Sequence, residues 1–362
     1  MIIASDLTDA LTVTISDGKG PAVLLDRDYN TGYTLRADIT VHIHAPEDIS
    51  ALYIVWSQPP GVWELTGSEV LFCGQNGFIH EFIDLPRPES ELTINIPEGG
   101  AALRDIYAFS AGKPPDWVQI WQPAHVVADL LVLPTHADDE HLYFVGVLPY
   151  YASERGFRVQ VAYLTHHWQQ PPRPHELLNG LWTVGIRNYP VISGFQDRYA
   201  ESLADAKSIF GWDKIVDYQA MLLRRFKPLV VVSHDLNGEY GHGAHMLNAH
   251  ALLAAAELAA DISYHPDSLQ MYGVWDTPKL YLHLLRENAI TMDWSLPLQS
   301  FDGATAVEVA RAGYDCHKSQ HQWAFRVPSS GPTGHLFGLA RSLVGADALG
   351  GDMFENLDPA RH

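Results

Sequence analysis

The chain contains 362 residues, carries a formal net charge of −20 at pH 7, and is 47% hydrophobic but only 18% charged. This composition excludes a disordered chain and indicates a globular protein long enough for two domains. The acidic excess argues against nucleic acid as a partner, and we expect no membrane span because no apolar run approaches the roughly 18 residues that one needs.

The amino-terminal part, assigned to residues 1–122, has the pattern of an antiparallel β-domain. Alternating or β-branched runs at 11–15, 39–43, 51–56 and 92–96 are separated by turn-rich segments such as SQPPG and PEGG. This rhythm predicts a β-sandwich. The segment LLDRDYNTGYTL resembles the opening of galactose-binding-type sandwiches, many of which are carbohydrate-binding modules.

From residue 123 onward, predicted strands alternate with predicted helices. The strands are expected at 129–133, 157–164 and 228–233, and the helices at 140–154, 213–226 and 242–261. Over residues 123–345 this alternation predicts a Rossmann-like, mainly parallel sheet with helices on both faces. In such sheets the chemistry collects beyond the carboxyl ends of the strands. Residues 346–362 are expected to form a loose tail.

The first group of reactive side chains follows the predicted strand 129–133. His136, Asp138 and Asp139 stand in the run THADDE, where a buried strand leads into a helix. One imidazole and two carboxylates in this position outline a metal site. The alternative is that Asp138 or Asp139 caps the helix, because Asp readily accepts hydrogen bonds from the free N–H groups of a helix start.

The second group follows the predicted strand 228–233. In the run SHDLNGEYGHGAH, His242 and His245 stand three residues apart at a predicted helix start. This spacing places both imidazoles on one face of the helix. They could be solvated helix-start residues, but two strand ends that both deliver histidine favour one shared metal pocket.

These motifs resemble those of the PIG-L/LmbE-like family of zinc-dependent N-deacetylases, (A)HPDDE and HxxH. They stand here as THADDE and YGHGAH, and the stretches RPHE, GFQD, PKLY and HKSQ resemble further family segments. The resemblance covers roughly residues 128–323 and excludes the amino-terminal part. It therefore implies a deacetylase domain behind the predicted β-sandwich.

Carried over residue by residue, the resemblance implies a Zn²⁺ ion held by His136, Asp139 and His245. Three protein ligands leave coordination open for water and substrate, as in catalytic zinc sites. Asp138 is then the general base, which takes a proton from the attacking water.

The resemblance also assigns roles around the reacting carbonyl and the sugar. His242 is expected to donate to the oxyanion, with protonation of the leaving amine as an open second role, and Tyr240 is expected to polarise the same oxygen. Arg173 and Asp197 occupy positions that contact sugar hydroxyls in the family. The alternative for this last pair is a salt bridge between a helix and a loop.

Two residues depart from the family motifs. Ala137 replaces a proline, which should alter only the stiffness of the loop. Ala244 replaces the Asp of the family's HPDH, which normally helps to orient the loop or the catalytic histidine. Asp235 and Glu239 are the candidate substitutes for it, and the sequence does not decide between them.

The remaining candidates were expected to be structural. Glu140 is interpreted as a support for the first loop rather than as a metal ligand. His141, His250 and His317 are interpreted as supporting or surface histidines, because a lone histidine is more often structural than a ligand.

We therefore expect an enzyme that removes the N-acetyl group from an N-acetylated amino sugar or glycoconjugate, with a small molecule or glycan as its substrate. Two alternatives stay open: an amidase for a larger acyl group or conjugate, and a non-catalytic glycan-binding protein with a vestigial metal site. We expect a secreted or extracellular location if a leader has been removed, and a cytoplasmic one otherwise.

Overall fold

The computed structural model of the chain describes residues 2–361. These residues form two compact units. The first takes in the chain up to Pro123 together with Trp168–His175, and the second takes in Ala124–His167 and the chain from Glu176 onward. Among the helices of residues 2–361, none combines the length and the apolar character needed to cross a bilayer.

The first unit is built on one antiparallel sheet of seven strands. Its strands are β1 (Thr12–Ile15), β2 (Tyr33–Thr34), β3 (Thr40–Trp56), β4 (Trp63–Thr66), β5 (Val70–Cys73), β6 (His80–Asn95) and β7 (Ala102–Phe109). They are ordered β2-β7-β3-β6-β4-β5, and β1 pairs with β3. The predicted strands 39–43 and 51–56 are thus one long strand, β3, whose register shifts between His44 and Ala51. Such irregularities bend a strand, and they let its two halves pair with different neighbours.

Burial in the first unit follows the alternation of the sequence. In β1, Val13 and Ile15 are buried while the two threonines are exposed. The indole rings of Trp56 and Trp63 are fully buried and lie 5.3 Å apart between centroids. The antiparallel β-architecture is as predicted, and the finer assignment to a sandwich stays a prediction.

The second unit contains a seven-stranded mixed sheet. Its strands are β8 (Leu130–Val132), β9 (Val159–Tyr163), β10 (Val191–Ile192), β11 (Val230–Ser233), β12 (Lys279–His283), β13 (Ala289–Thr291) and β14 (Leu336–Ser342). The order is β10-β9-β8-β11-β12-β14-β13. The pairs from β10 to β12 are parallel, and β14 is antiparallel to both of its neighbours. The predicted α/β class with a mainly parallel sheet is confirmed.

Within residues 2–361, seven α-helices accompany these strands. They are α1 (Asp139–Leu142), α2 (Arg173–Thr183), α3 (Leu203–Ala206), α4 (Trp212–Phe226), α5 (Gly243–Ala260), α6 (Pro266–Tyr272) and α7 (Ala306–Tyr314). Apolar residues of α4 and α5 share one core with Leu131, Val231 and Leu280 of the sheet. The small side chains of the alanine-rich helix α5 allow this close packing.

The predicted helix 140–154 is interrupted. α1 ends at Leu142, and helical structure returns at residues 147–148 and continues as a π-helix over Pro149–Glu154. The interruption includes Val145, whose φ of 35° does not fit a right-handed helix. Pro149 then lies in the first turn of the new segment, where its missing N–H costs no hydrogen bond.

The segment predicted as a loose tail is packed onto the second unit. Met353 and Phe354 are buried, and the Phe354 ring lies 5.3 Å from that of Tyr151. Asp347 pairs with the buried Lys279 of β12. The composition of 343–352, which is rich in glycine and small residues, gives no periodic pattern from which this packing could be predicted.

Candidate metal centre

The sheet topology brings the two histidine-rich runs to one place. β8 and β11 are hydrogen-bonded parallel neighbours, so their carboxyl ends lie at the same edge of the sheet. The loop after β8 carries residues 135–140, and the loop after β11 carries residues 234–245. The edge predicted to hold the chemistry therefore holds both motifs.

Three donor atoms converge at this edge. The Nδ1 atom of His136 lies 3.0 Å from the Nε2 atom of His245, and Asp139 Oδ2 lies 3.3 Å from each of these nitrogens. Tetrahedral zinc with bonds of 2.0–2.1 Å separates its ligand atoms by about 3.3 Å. We name His136, Asp139 and His245 the rim cluster, and its spacing fits one zinc-sized ion.

The electrostatics of the rim cluster also favour a cation. Burial alone would lower the pKa of His245, but the carboxylates of Asp139 and Glu239 outweigh it and raise that pKa to about 10. Burial would likewise raise the pKa of Asp139, yet the imidazoles of His245 and His136 hold it well below its ordinary value. A position that stabilises positive charge this strongly can accept a divalent ion in place of protons.

A buried carboxylate, Glu239, supports the rim cluster. Its Oε2 atom lies 2.7 Å from His245 Nδ1, and its Oε1 atom lies 2.9 Å from His234 Nδ1 and 3.0 Å from His283 Nδ1. A carboxylate on the far nitrogen of a ligand histidine fixes its tautomer and orientation. Of the two residues considered as substitutes for the missing family Asp at Ala244, Glu239 is the one that contacts a rim imidazole.

Asp138 occupies the N-cap position of α1, but its side chain makes no capping hydrogen bond. The capping interpretation of Asp138 is therefore wrong. Its backbone has a φ of 112°, a region that costs energy for a residue with a side chain. Its N–H donates to Glu140 Oε2 at 3.1 Å, which holds this conformation. Strain of this kind is common where a side chain must be aimed at a reacting group.

His242 and Tyr240 border the rim cluster. The His242 ring lies 4.9 Å from that of His136, and the Tyr240 ring lies 5.5 Å from that of His245. His242 Nδ1 accepts the N–H of Ala244 at 3.2 Å, which leaves Nε2 as the protonated donor nitrogen. Burial lowers the pKa of His242 to about 3, so its imidazole is neutral at pH 7. His242 also has a ring nitrogen within ligand range of His136 and His245.

Asp197 lies beside the rim cluster. One of its oxygens is 3.3 Å from His136 Nε2, and the other is 3.4 Å from His167 Nδ1. Burial would raise the pKa of Asp197, but hydrogen bonds from these two imidazoles hold it well below the ordinary range. Asp197 thus contacts the far nitrogen of a rim histidine, as Glu239 does.

Arg173 is placed differently from the other predicted site residues. It is buried at the start of α2, within the segment Trp168–His175 that is grouped with the first unit. Its predicted sugar contact stays a prediction.

Several polar residues of the site were missed in the sequence. His234, His283 and His167 received no role, although His234 directly follows β11 as a histidine follows β8. That position at a parallel strand end was the available signal. His283 and His167 come from β12 and from the loop after β9, and no short motif connects them to the others.

No protein-family model matches the chain. Among curated proteins, a 1D-myo-inositol 2-acetamido-2-deoxy-alpha-D-glucopyranoside deacetylase 1 of Catenulispora acidiphila is 28% identical over 123 residues, which are 32% of this chain and 37% of that protein. A deacetylase of the same description from Streptomyces avermitilis is 25% identical over 212 residues, which are 49% of this chain and 70% of that protein. The resemblance to deacetylases is thereby confirmed, although the chain spans only about a third of the length of the first of these relatives.

Among solved structures, the N,N'-diacetylchitobiose deacetylase of Pyrococcus horikoshii matches with 14% identity and a TM-score of 0.36, covering 54% of this chain and 75% of that one. The zinc-inhibited form of teicoplanin deacetylase Orf2 matches with 14% identity and a TM-score of 0.33, covering 60% of this chain and 99% of that one.

Proposed function

We propose that the protein is a zinc-dependent deacetylase that removes the N-acetyl group from an N-acetylated amino sugar or glycoconjugate. The convergence of His136 Nδ1, His245 Nε2 and Asp139 Oδ2 within 3.0–3.3 Å of one another carries this proposal. The curated relatives, which are named as deacetylases of a 2-acetamido sugar, support the reaction and the substrate class.

The rim cluster is the proposed zinc site. A zinc ion bound there supplies Lewis-acid activation of water and of the acetamide carbonyl. Glu239 and Asp197 hold the far nitrogens of His245 and His136, so the nitrogens that face the ion carry lone pairs.

The remaining chemistry falls to three side chains. We assign Asp138 as the general base, which accepts a proton from the water molecule that adds to the carbonyl carbon. His242 Nε2–H and the Tyr240 hydroxyl are assigned as donors to the oxygen on which negative charge develops. Partial desolvation of its ring and the nearby carboxylates of Asp139 and Asp138 raise the pKa of Tyr240, so its hydroxyl keeps its proton at neutral pH. The C–N bond then breaks, and the proton held by Asp138 passes to the leaving amine, giving acetate and a free amino sugar.

Two parts of the protein are proposed to recognise the substrate. Arg173 and Asp197 are the proposed contacts to sugar hydroxyls, and the first unit is proposed to be a sandwich of carbohydrate-binding type. Binding of the full chain to insoluble N-acetylated glycans tests the role of the first unit. Retention that persists when soluble monosaccharide saturates the catalytic site supports this role, and loss of all retention contradicts it.

A second candidate function is hydrolysis of a larger acyl group or conjugate. A cavity of about 400 Å³ adjoins Tyr240 and is lined largely by apolar side chains, including Leu142, Leu284 and Phe325. Its largely apolar lining suits an acyl chain or an apolar conjugate better than the hydroxyl groups of a sugar. A profile of N-acyl and aglycone variants distinguishes the two functions.

The decisive experiment measures acetate release from N-acetylglucosamine derivatives. We expect activity that disappears with a chelator and returns with zinc, and a fall in turnover of about 10²- to 10⁴-fold in Asp138→Asn with unchanged metal content. Asp235→Asn is the matched control, because Asp235 is a buried aspartate of the same site region whose Oδ1 accepts only within its own turn. Chelator-resistant activity, or full activity in Asp138→Asn, would contradict the proposal.

A further inference from the structure

A second group of histidine and acidic side chains lies in the interior of the second unit. Glu140, His141 and His317 each offer a ligand atom, and these atoms all lie within 4.8 Å of one another. Glu140 Oε1 is 3.3 Å from His141 Nε2 and 4.0 Å from His317 Nε2. The three side chains are at most 1% exposed. We name them the buried cluster.

Two of these atoms lack a hydrogen bond. Among the described residues, neither Glu140 Oε1 nor His141 Nε2 has a partner with hydrogen-bond geometry, although the Tyr163 hydroxyl lies close enough to Glu140 to favour its ionised form. Glu140 Oε2 is already used, because it accepts the N–H of Asp138. Fully buried polar atoms are rarely left unsatisfied, since their desolvation is then uncompensated. An ion placed between them would satisfy both.

Two glycines allow the imidazoles of the buried cluster to approach the backbone closely. A Cβ atom at Gly180 would lie 2.6 Å from His141 Nε2 and 2.8 Å from His317 Nε2, so both nitrogens lie beside the same point of α2. A Cβ atom at Gly313 would lie 2.5 Å from His141 Cε1. Neither glycine has a positive φ, so the absence of a side chain is explained by this close approach and not by backbone conformation.

We propose that the buried cluster is a second binding site for a divalent transition metal, with zinc as the ion that its two imidazoles and one carboxylate suit and with the fourth position left for an enclosed water molecule. Nitrogen and oxygen donors in this combination are zinc ligands elsewhere. Because the ligands are closed off from solvent, the ion does not meet substrate. It ties α1, which carries Glu140 and His141, to the segment that follows α7, which carries His317. The proposal goes beyond the deacetylase function and does not depend on it.

The competing explanation is a proton in place of the metal. Burial raises the pKa of Glu140 to about 8 and lowers that of His141 to about 3. A protonated carboxyl facing a neutral imidazole would then occupy the site without an ion. The two explanations predict different metal contents, so a count of bound zinc separates them.

The experiment measures zinc per chain by mass spectrometry in full-length protein isolated from zinc-supplemented cultures. We expect two zinc ions in the native chain, one in His317→Gln and one in His136→Ala. The control His321→Gln, an exposed histidine four residues from His317, should keep two. A native chain with one ion that is lost in His136→Ala and kept in His317→Gln overturns the inference and leaves the proposed function intact.

The opposite pattern tests the proposed function. One ion that survives His136→Ala and is lost in His317→Gln supports the buried site and contradicts the rim site. Anomalous scattering at the zinc edge from crystals of the native chain answers the question even where a variant fails to fold. A peak between Glu140, His141 and His317 supports the proposal, and an ion-free cluster in a zinc-loaded crystal contradicts it.

Discussion

The rim cluster and the buried cluster use the same side-chain types, and their carboxyl groups come from consecutive residues, yet the two carboxyls behave oppositely. The pKa of Asp139 is held well below its ordinary value, whereas that of Glu140 is raised to about 8. Asp139 Oδ2 accepts the N–H groups of Thr135 and His136 and faces imidazoles that are themselves held by carboxylates. Glu140 accepts one such N–H, from Asp138, and the Tyr163 hydroxyl also lowers its pKa, but these donors do not outweigh the effect of burial. A buried carboxylate thus stays ionised only where its surroundings supply donors or positive charge.

Glu239→Ala should have the largest effect, because Glu239 is the acceptor shared by His234, His245 and His283. Removing a partner from a buried, hydrogen-bonded charge network typically costs about 3–5 kcal/mol of unfolding free energy. Loss of a carboxylate behind a metal-binding histidine also weakens metal affinity by about 10- to 100-fold. Chemical denaturation and zinc titration measure the two effects separately.

Glu239→Gln is the control for that experiment. It keeps the size of the side chain and one acceptor oxygen, so we expect an intermediate loss of stability and of zinc affinity. Native zinc affinity in Glu239→Ala would show that the rim cluster does not depend on its supporting carboxylate, and the contrast with Glu140 would lose its basis.

Tyr240→Phe should slow turnover with little change in stability. Tyr240 is 53% exposed, and its ring packs 5.2 Å from that of Phe325. Phenylalanine preserves this packing and removes only the hydroxyl, so we expect turnover to fall by about 10²- to 10³-fold, which is typical for loss of one oxyanion donor. Steady-state kinetics with a parallel zinc analysis provide the test. An unchanged turnover would remove Tyr240 from the proposed chemistry.

The rim cluster could be predicted from the sequence because each of its two halves is a short run at a strand end. His136 and Asp139 lie three residues apart after β8, and His245 lies at the start of the helix after β11. The parallel pairing of these strands then joins the halves. The choice of Glu239 over Asp235 could not be predicted, since it depends on which side chain the turn directs inward, and Glu239 itself has a positive φ of 55°.

The buried cluster and the bend of β3 could not be predicted from the sequence, because both depend on long-range packing. His317 stands alone in its segment, and only the packing of the region after α7 against α1 brings it to Glu140. Likewise, the alternating pattern placed strands at 39–43 and 51–56, but it contains no signal that a register shift would join them into one strand. Local patterns thus identified the elements, and long-range packing decided these partners.

Gly180→Ala tests whether the buried cluster binds a metal ion. The added methyl group would stand 2.6 Å and 2.8 Å from two imidazole nitrogens, so one histidine must move. We expect one zinc ion per chain to be lost and the unfolding free energy to fall by about 1–3 kcal/mol, which is typical of overpacking. Gly194→Ala is the matched control, because a Cβ atom there meets no heavy atom within 4 Å. Retention of both zinc ions in Gly180→Ala would separate the glycine from metal binding.

Asp105 tests in the first unit the same rule, that a buried carboxylate stays ionised only where donors or positive charge surround it. We expect its substitution to have the smallest effect on unfolding free energy. Burial raises the pKa of its carboxyl from 3.8 to about 6, and the N–H of Arg27 offsets only part of this. A carboxyl whose pKa is raised on folding stabilises the protein fully below its unfolded pKa and loses that contribution as the pH rises through about 6. Asp105→Asn keeps an acceptor for Arg27 and cannot ionise. In buffer with EDTA we therefore expect Asp105→Asn to have the same melting temperature as the native chain near pH 4 and a higher one above pH 6. The corresponding gain in unfolding free energy above pH 6 is about 1–2 kcal/mol. A difference that is constant across this range would show that the effect does not arise from ionisation, and that the rule drawn from Asp139 and Glu140 does not carry over to this carboxyl.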